Sequence, residues 1–272
     1  MSYQAIAFDL DGTLLSSQAT ILESSKNAIK KAREKGIKVF IVTGRHHTAV
    51  RPYYAELELD TPVVCCNGTY LYDFQKDDVL VSNPLTNKQA EYLINTAKAN
   101  DIHVAVYIRD AMTYEVLNAH FSKFLKWVNA CPENVRPDVR QVENYQQFVD
   151  DGTTIWKVLI SSSDLEKMQN FVDNLPLDQF SPEWSWIDRV DITATGNSKG
   201  ACLAELLKIE GIDPQNVIAF GDNFNDISML KLVGMGIAMA EADEEVQQNA
   251  KQTIGSHNED SIAKALEQLL KL

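Results

Sequence analysis

Short, unbroken apolar runs alternate with amphipathic stretches at both ends of this chain. Residues 5–8, 39–42 and 63–66 are apolar and largely β-branched or small, the pattern of strands buried on both faces. Between the first two lies a stripe of Ala28, Ile29 and Ala32 at helical spacing, with Ser24 or Ser25 placed to cap it and Gly36 to stop it. The C-terminal end repeats this alternation. A helix over 199–209 ends at Gly211, a strand spans 217–220, a helix 227–232 and a strand 236–239, and Ile262, Leu266, Leu269 and Leu270 mark a last helix. Strand and helix in strict succession predict an α/β layer with parallel strands.

From Pro84 to about Ile187 the pattern changes. Alternating strands over 104–108 and 156–161 mix with helices over 89–98 and 165–174, and Trp127, Trp156, Trp184 and Trp186 all fall here. The expected architecture is one α/β core built from both termini, 1–84 and 188–272, interrupted by an α+β insert over 85–187. An insert of this size is itself domain-sized, and its tryptophans are expected to pack its core.

Composition narrows the function classes. The 272 residues carry 25 Lys+Arg against 38 Asp+Glu, a net charge of −13. Such a surface repels phosphate backbones and anionic lipid, so nucleic acid and membranes are not expected as main partners. Cys65, Cys66, Cys131 and Cys202 form no CxxC pair and read as reduced thiols. With no signal-like or membrane-length apolar run, a cytoplasmic location is expected, and no obligate protein partner is evident.

Four strings carry candidate chemistry. The first strand ends in Asp9-Leu10-Asp11-Gly12-Thr13; two carboxylates at i and i+2 can meet at one hard cation, with one free to attack and the other to handle protons. The second ends in Thr43-Gly44-Arg45, where a hydroxyl and backbone N–H groups suit phosphate oxygens at a strand tip. Lys199 opens a helix after Gly196-Asn197-Ser198, and the 217–220 strand runs into Gly221-Asp222-Asn223-Phe224-Asn225-Asp226. Taken singly, each string also reads as a polar turn or helix cap. Together they place two carboxylate sites, a hydroxyl and a cation at the ends of elements of one sheet, which describes a magnesium and phosphate site. The runs Cys65-Cys66, Met229, Met235 and Met239 read as packing, and the acidic run 241–245 as a helix start.

These four strings, in this order, resemble the four motifs of the haloacid dehalogenase-like hydrolases. The large insert resembles that family's type II cap, and Cys65-Cys66-Asn67-Gly68 resembles the Asn-Gly pair of its Cof-type phosphatases. TGRHH, CCNGTYLYD, EWSW, GNSKG and GDNFNDISML are similar to the members that act on pyridoxal phosphate. The resemblance spans nearly the whole chain, with no departure in the core motifs. It implies a Rossmann-like, doubly wound parallel sheet with a substrate-choosing cap. Asp9 would be the nucleophile and Asp11 the general acid and base. Magnesium would sit on the Asp9 carboxylate, the Asp11 carbonyl and Asp222, and phosphate on the Leu10 N–H, Thr43, Gly44, Lys199 and Asn225. Asp226 would support these groups or act through a water.

Arg45, His46 and Asn67 follow strand tips and are candidate substrate contacts, with at most one of His46 and His47 reaching the site. The substrate is expected to be a small phosphorylated metabolite, pyridoxal 5′-phosphate first and sugar phosphates second. Oxygen ligands of this kind also accept manganese or cobalt. A sugar phosphomutase would share this core, and a phosphate-binding sensor without turnover would share the fold. Asp11 favours phosphoryl transfer over attack on carbon, and the presence of both Asp9 and Asp11 counts against a mere sensor.

Overall fold

A computed structural model describes residues 3–272 of the chain, which divide into two compact units. Of these residues, the first unit comprises 3–43, 53–81 and 198–272, and the second 44–52 and 82–197.

The first unit is built on a five-stranded sheet in the order Gln252–Thr253, Met235–Ala238, Val217–Gly221, Ala5–Phe8, Lys38–Ile41, parallel throughout. The fully buried Ala5–Phe8 strand explains the unbroken apolar run, since a parallel strand in mid-sheet has no solvent face. Phe8 stacks on Phe220 of the adjacent strand at 5.0 Å, and burying each such ring contributes about 1.5–3 kcal/mol. Strand order reverses between Ala5–Phe8 and Val217–Gly221: the chain winds one way to Lys38–Ile41 and the other way to Met235–Ala238. The crevice at the carboxyl ends of those two strands is where open α/β sheets bind ligands.

The run at 63–66 departs from expectation. Val63–Cys65 pairs antiparallel with Tyr70–Asp73 in a separate three-stranded sheet, and keeps the expected parallel direction only at a single Val42–Val64 bridge to the parallel sheet. An apolar run specifies burial and leaves the partner open. The first helix, Glu23–Glu34, begins before the expected serine caps. Leu22 occupies the cap position without a side-chain bond, while Ser24 donates to Asp260 at 2.6 Å. The acidic Glu23 in the first turn suits the helix dipole instead. The acidic run does start a helix, Glu244–Gln248, capped by Asp243.

The second unit is a six-stranded sheet, Phe180–Trp186, Arg189–Ala194, Ile155–Ser161, His103–Ile108, Met112–Tyr114, Val139–Gln141, antiparallel except for its last pair. Helices Asn87–Ala99 and Leu165–Asp173 supply Leu93, Ile94, Met168 and Phe171 to its core. The expected boundary at 187/188 therefore moves. Arg189–Ala194 forms a hairpin with Phe180–Trp186, and the second unit continues to Asn197. The tryptophans also divide. Trp156 is buried and Trp184 half-buried, but Trp186, beyond a register shift in the hairpin, is 63% exposed.

Candidate active site

The carboxyl ends of Ala5–Phe8 and Val217–Gly221 carry Asp9 and Asp222, because Phe8 and Phe220 are in register. The Asp9 N–H donates to the Phe220 carbonyl at 3.0 Å, extending the ladder one residue before the chain turns. Gly12 makes that turn at φ +79°, and a Cβ there would lie 2.3 Å from Asp222 Oδ2. Only glycine meets both conditions. The hydroxyl of Thr13 then donates to Asp222 Oδ1 at 2.6 Å.

Lys199, on the first residue of the Lys199–Glu210 helix and 1% exposed, donates to Asp9 Oδ1 at 2.7 Å and to Asp226 Oδ1 at 2.6 Å. The other oxygen of Asp226 accepts from the N–H groups of Asp222 and Asn223 at 3.0 Å. Asp226 thus holds both the lysine and the strand tip that carries Asp222, and its oxygens are engaged in doing so. Gly200 N–H donates to Ser228 Oγ at 3.0 Å, tying this helix start to the helix Ile227–Leu232.

Oxygens of Asp9, Asp222 and Asp226 lie within 4.8 Å of one another. Burial pushes the Asp9 carboxyl well above its usual range; Lys199 opposes this, and Asp226 and Asp222 add to it. Burial, then the charge of Asp226, pushes Asp222 up to about 7. Burial alone would lower Lys199, but Asp226 and Asp9 carry it upward, so it stays an ammonium. Two buried carboxylates, Asp9 and Asp226, and the half-buried Asp222 share one ammonium, an imbalance that a divalent cation on oxygen ligands relieves. Asp222 Oδ2, over which Gly12 leaves space, and the Asp9 carboxylate are the oxygens suited to it.

On the neighbouring strand tip, the Thr43 N–H donates to Val64 at 2.9 Å and its carbonyl accepts from Asn67 N–H at 3.1 Å. The side chain of Asn67 accepts from Asn225 Nδ2 at 3.0 Å. Cys66, Asn67 and Gly68 take three successive left-handed conformations, φ +48°, +57° and +89°. Strain of that kind persists only where the surroundings hold it, and here the Thr43 and Asn225 contacts do so. At Gly68 a Cβ would fall 2.1 Å from the Ser198 carbonyl oxygen.

Of the residues expected at the site, Asp9, Leu10, Asp11, Thr43, Asn67, Lys199, Asp222, Asn225 and Asp226 all lie in the first unit. Asp11 is the exposed carboxylate, and the Leu10 carbonyl accepts from the N–H groups of Thr13 and Leu15. Gly44, Arg45 and His46 group with the second unit. There the Arg45 guanidinium lies 5.1 Å from the Trp127 ring, and His46 is fully buried with one ring nitrogen 2.9 Å from the Ile108 carbonyl and the other 3.0 Å from Thr48 Oγ1. Both ring nitrogens of His46 meet hydrogen-bonding partners of the second unit. Sequence reading missed Thr13 and Ser228 as supports. The Thr of DxDGT was visible, but its partner 209 residues away was not.

A family model described as haloacid dehalogenase-like hydrolase matches residues 6–266. The chain belongs to this family. It is 43% identical to pyridoxal phosphate phosphatase YbhA of Escherichia coli over 264 residues, 97% of each chain. It is 28% identical to the 5-amino-6-(5-phospho-D-ribitylamino)uracil phosphatase YwtE of Bacillus subtilis, over 98% of each. A crystal structure of a haloacid dehalogenase-like hydrolase from Bacteroides thetaiotaomicron shares the fold with a TM-score of 0.85, at 24% identity, across 98% of this chain and all of that one.

Proposed function

We propose that this enzyme hydrolyses small phosphomonoesters, pyridoxal 5′-phosphate foremost, through an aspartyl phosphate on Asp9. The observation that carries the chemistry is the Asp9 carboxylate at the strand switch point, 2.7 Å from a fully buried ammonium and facing Asp222. The 43% identity to the Escherichia coli enzyme over nearly the whole chain supports the substrate.

The Asp9 carboxylate attacks phosphorus as the ester P–O bond breaks, and Asp11 gives its proton to the departing alkoxide. The Asp11 carboxylate then takes a proton from water as that water attacks the aspartyl phosphate, releasing inorganic phosphate and restoring Asp9. Lys199 offsets the repulsion between the Asp9 carboxylate and an anionic phosphoryl group. The Asp9 and Asp222 carboxylates and the Asp11 carbonyl would hold magnesium, which when bound supplies charge neutralisation on the phosphoryl oxygens. Thr43, Gly44 and Asn225, with the Leu10 N–H, would bind the remaining phosphate oxygens. The second unit would act as the cap that selects the leaving group.

The test is a phosphate-release screen over pyridoxal 5′-phosphate, hexose phosphates, bisphosphates and nucleotides with magnesium, ranked by kcat/KM. Pyridoxal 5′-phosphate should lead, and Asp9→Asn should lower turnover by more than about a thousandfold with an unchanged circular dichroism spectrum. Failure of every phosphomonoester to release phosphate would overturn the proposal. A sugar phosphate in first place would redirect the substrate.

A further inference from the structure

The second unit buries a lysine that the chemistry above does not use. Lys157 stands on the strand Ile155–Ser161 and is 3% exposed. Its ammonium donates to Asp191 Oδ2 at 2.6 Å and to the Gly44 carbonyl at 2.8 Å, and lies 4.5 Å from the centre of the Tyr107 ring. Tyr107 is its register partner on one neighbouring strand, and Asp191 lies on the strand to the other side. Burying an ion pair in a sheet carries a large desolvation cost, which apolar side chains of the same volume avoid. The contact those side chains would lack is the third one, to Gly44, the residue that follows Thr43 in the candidate phosphate-binding tip.

Peptide geometry gives that contact a consequence. A trans peptide is planar, with its C=O and N–H pointing in opposite directions. Anchoring the Thr43 carbonyl to Asn67 N–H therefore sets the direction of the Gly44 N–H, and anchoring the Gly44 carbonyl to Lys157 sets that of the Arg45 N–H. Two successive peptides after the second strand are each held by the carbonyl, one by a backbone donor and one by a buried cation. An ammonium serves this purpose because it is a single charge with three donors, so one head group reaches a carboxylate and a carbonyl together.

We infer that Lys157, paired with Asp191, is a positioning residue that fixes the Gly44–Arg45 peptide and so aims the Arg45 N–H, the backbone donor that follows the Gly44 N–H in the phosphate-binding tip. The inference rests on the phosphatase reading above for the use of that tip. It predicts an effect on phosphate affinity transmitted through backbone orientation, with Lys157 itself touching no substrate.

The test uses the full-length enzyme, p-nitrophenyl phosphate as substrate and inorganic phosphate as competitive inhibitor. Lys157→Met alone would leave Asp191 buried without its cation, so the decisive variant is Lys157→Met/Asp191→Leu, which removes both charges together. Its inhibition constant for phosphate and its KM should each rise about tenfold, with a smaller fall in kcat, and Lys157→Arg should recover most of that loss. Asp191→Asn, which keeps the side-chain volumes and is read if the double variant does not fold, should raise the same constant about threefold. A wild-type inhibition constant in either folded variant overturns the inference, as does a loss confined to kcat. A wild-type protein that hydrolyses no phosphomonoester would instead count against the functional reading. In that case calorimetric titration of inorganic phosphate into wild type and variant still measures the positioning effect.

Discussion

The hydroxyl of Thr13 and the carboxylate of Asp222 are joined by a 2.6 Å hydrogen bond. It fixes one oxygen of a candidate metal ligand from the turn that follows the nucleophile, and so couples the two strand tips on either side of the switch point. The same turn brings Gly12 against the other oxygen of Asp222, so the carboxylate plane is set by residues of the first motif.

Removing that hydrogen bond should weaken metal binding more than chemistry. Thr13→Val keeps the shape of the side chain and deletes the donor. Losing an outer-shell partner of a metal ligand typically costs about 10–100-fold in metal affinity. The magnesium concentration for half-maximal activity should rise by that factor, while kcat at saturating magnesium stays within about threefold of wild type. A magnesium titration of initial rates reads both quantities, and an unchanged midpoint would show that Asp222 does not depend on Thr13.

Lys199 carries stability as well as catalysis. Lys199→Met would leave Asp9 and Asp226 buried without the ammonium they share, and breaking a buried pair by removing one partner costs about 3–5 kcal/mol. Urea unfolding should show a loss of that size, and turnover should fall to background. Saturating magnesium should return part of the stability, because a bound cation offsets the same uncompensated charge. A variant of wild-type stability without magnesium would show that the folded protein does not depend on this ammonium.

Acid should destabilise the segment after the second strand. Burial first, and the charge of Lys157, lower His46 to about 3 despite the opposing hydrogen bond to Ile108; burial, His46 and Arg51 lower His47 to about 2. Both values lie below the ordinary 6.5, so between about 6.5 and 3 the unfolded chain binds protons that the folded chain does not. The histidine contribution to stability is then complete above about 6.5 and falls as pH drops through that window, by about 1.4 kcal/mol per pH unit for each histidine, against the opposite contribution of the raised Asp9 and Asp222 carboxyls. Urea midpoints at pH 7 and pH 5 should differ, and His46→Gln should flatten the slope. A slope unchanged by that substitution would show that His46 takes up its proton in the folded state.

Much of this protein was legible in its sequence because the governing signals are local. A fully buried parallel strand must be apolar at every position, so 5–8, 39–42 and 217–220 declared themselves. The motif residues follow those strands within one to six positions, which placed Asp9, Asp11, Thr43, Asp222, Asn225 and Asp226 at the tips of one sheet. Helix boundaries marked by glycine also followed, as at Gly211 with its φ of +67°.

Tertiary structure alone decided who meets whom. Val63–Cys65 has the same apolar character as the sheet strands, yet it meets the parallel sheet only through the parallel Val42–Val64 bridge and forms its ladder antiparallel with Tyr70–Asp73, because burial does not name a partner. Arg189–Ala194 joined the second unit because its hairpin with Phe180–Trp186 offered register on both sides of it. His46 looked like a substrate contact from its place in the chain, and the fold gave both its ring nitrogens hydrogen-bonding partners of the second unit. Lys199 with Asp9, and Thr13 with Asp222, meet across 190 and 209 residues. Periodicity and spacing report what a residue needs within a few turns of itself; a hydrogen bond closed over most of the chain exists only once the whole sheet has brought its ends together.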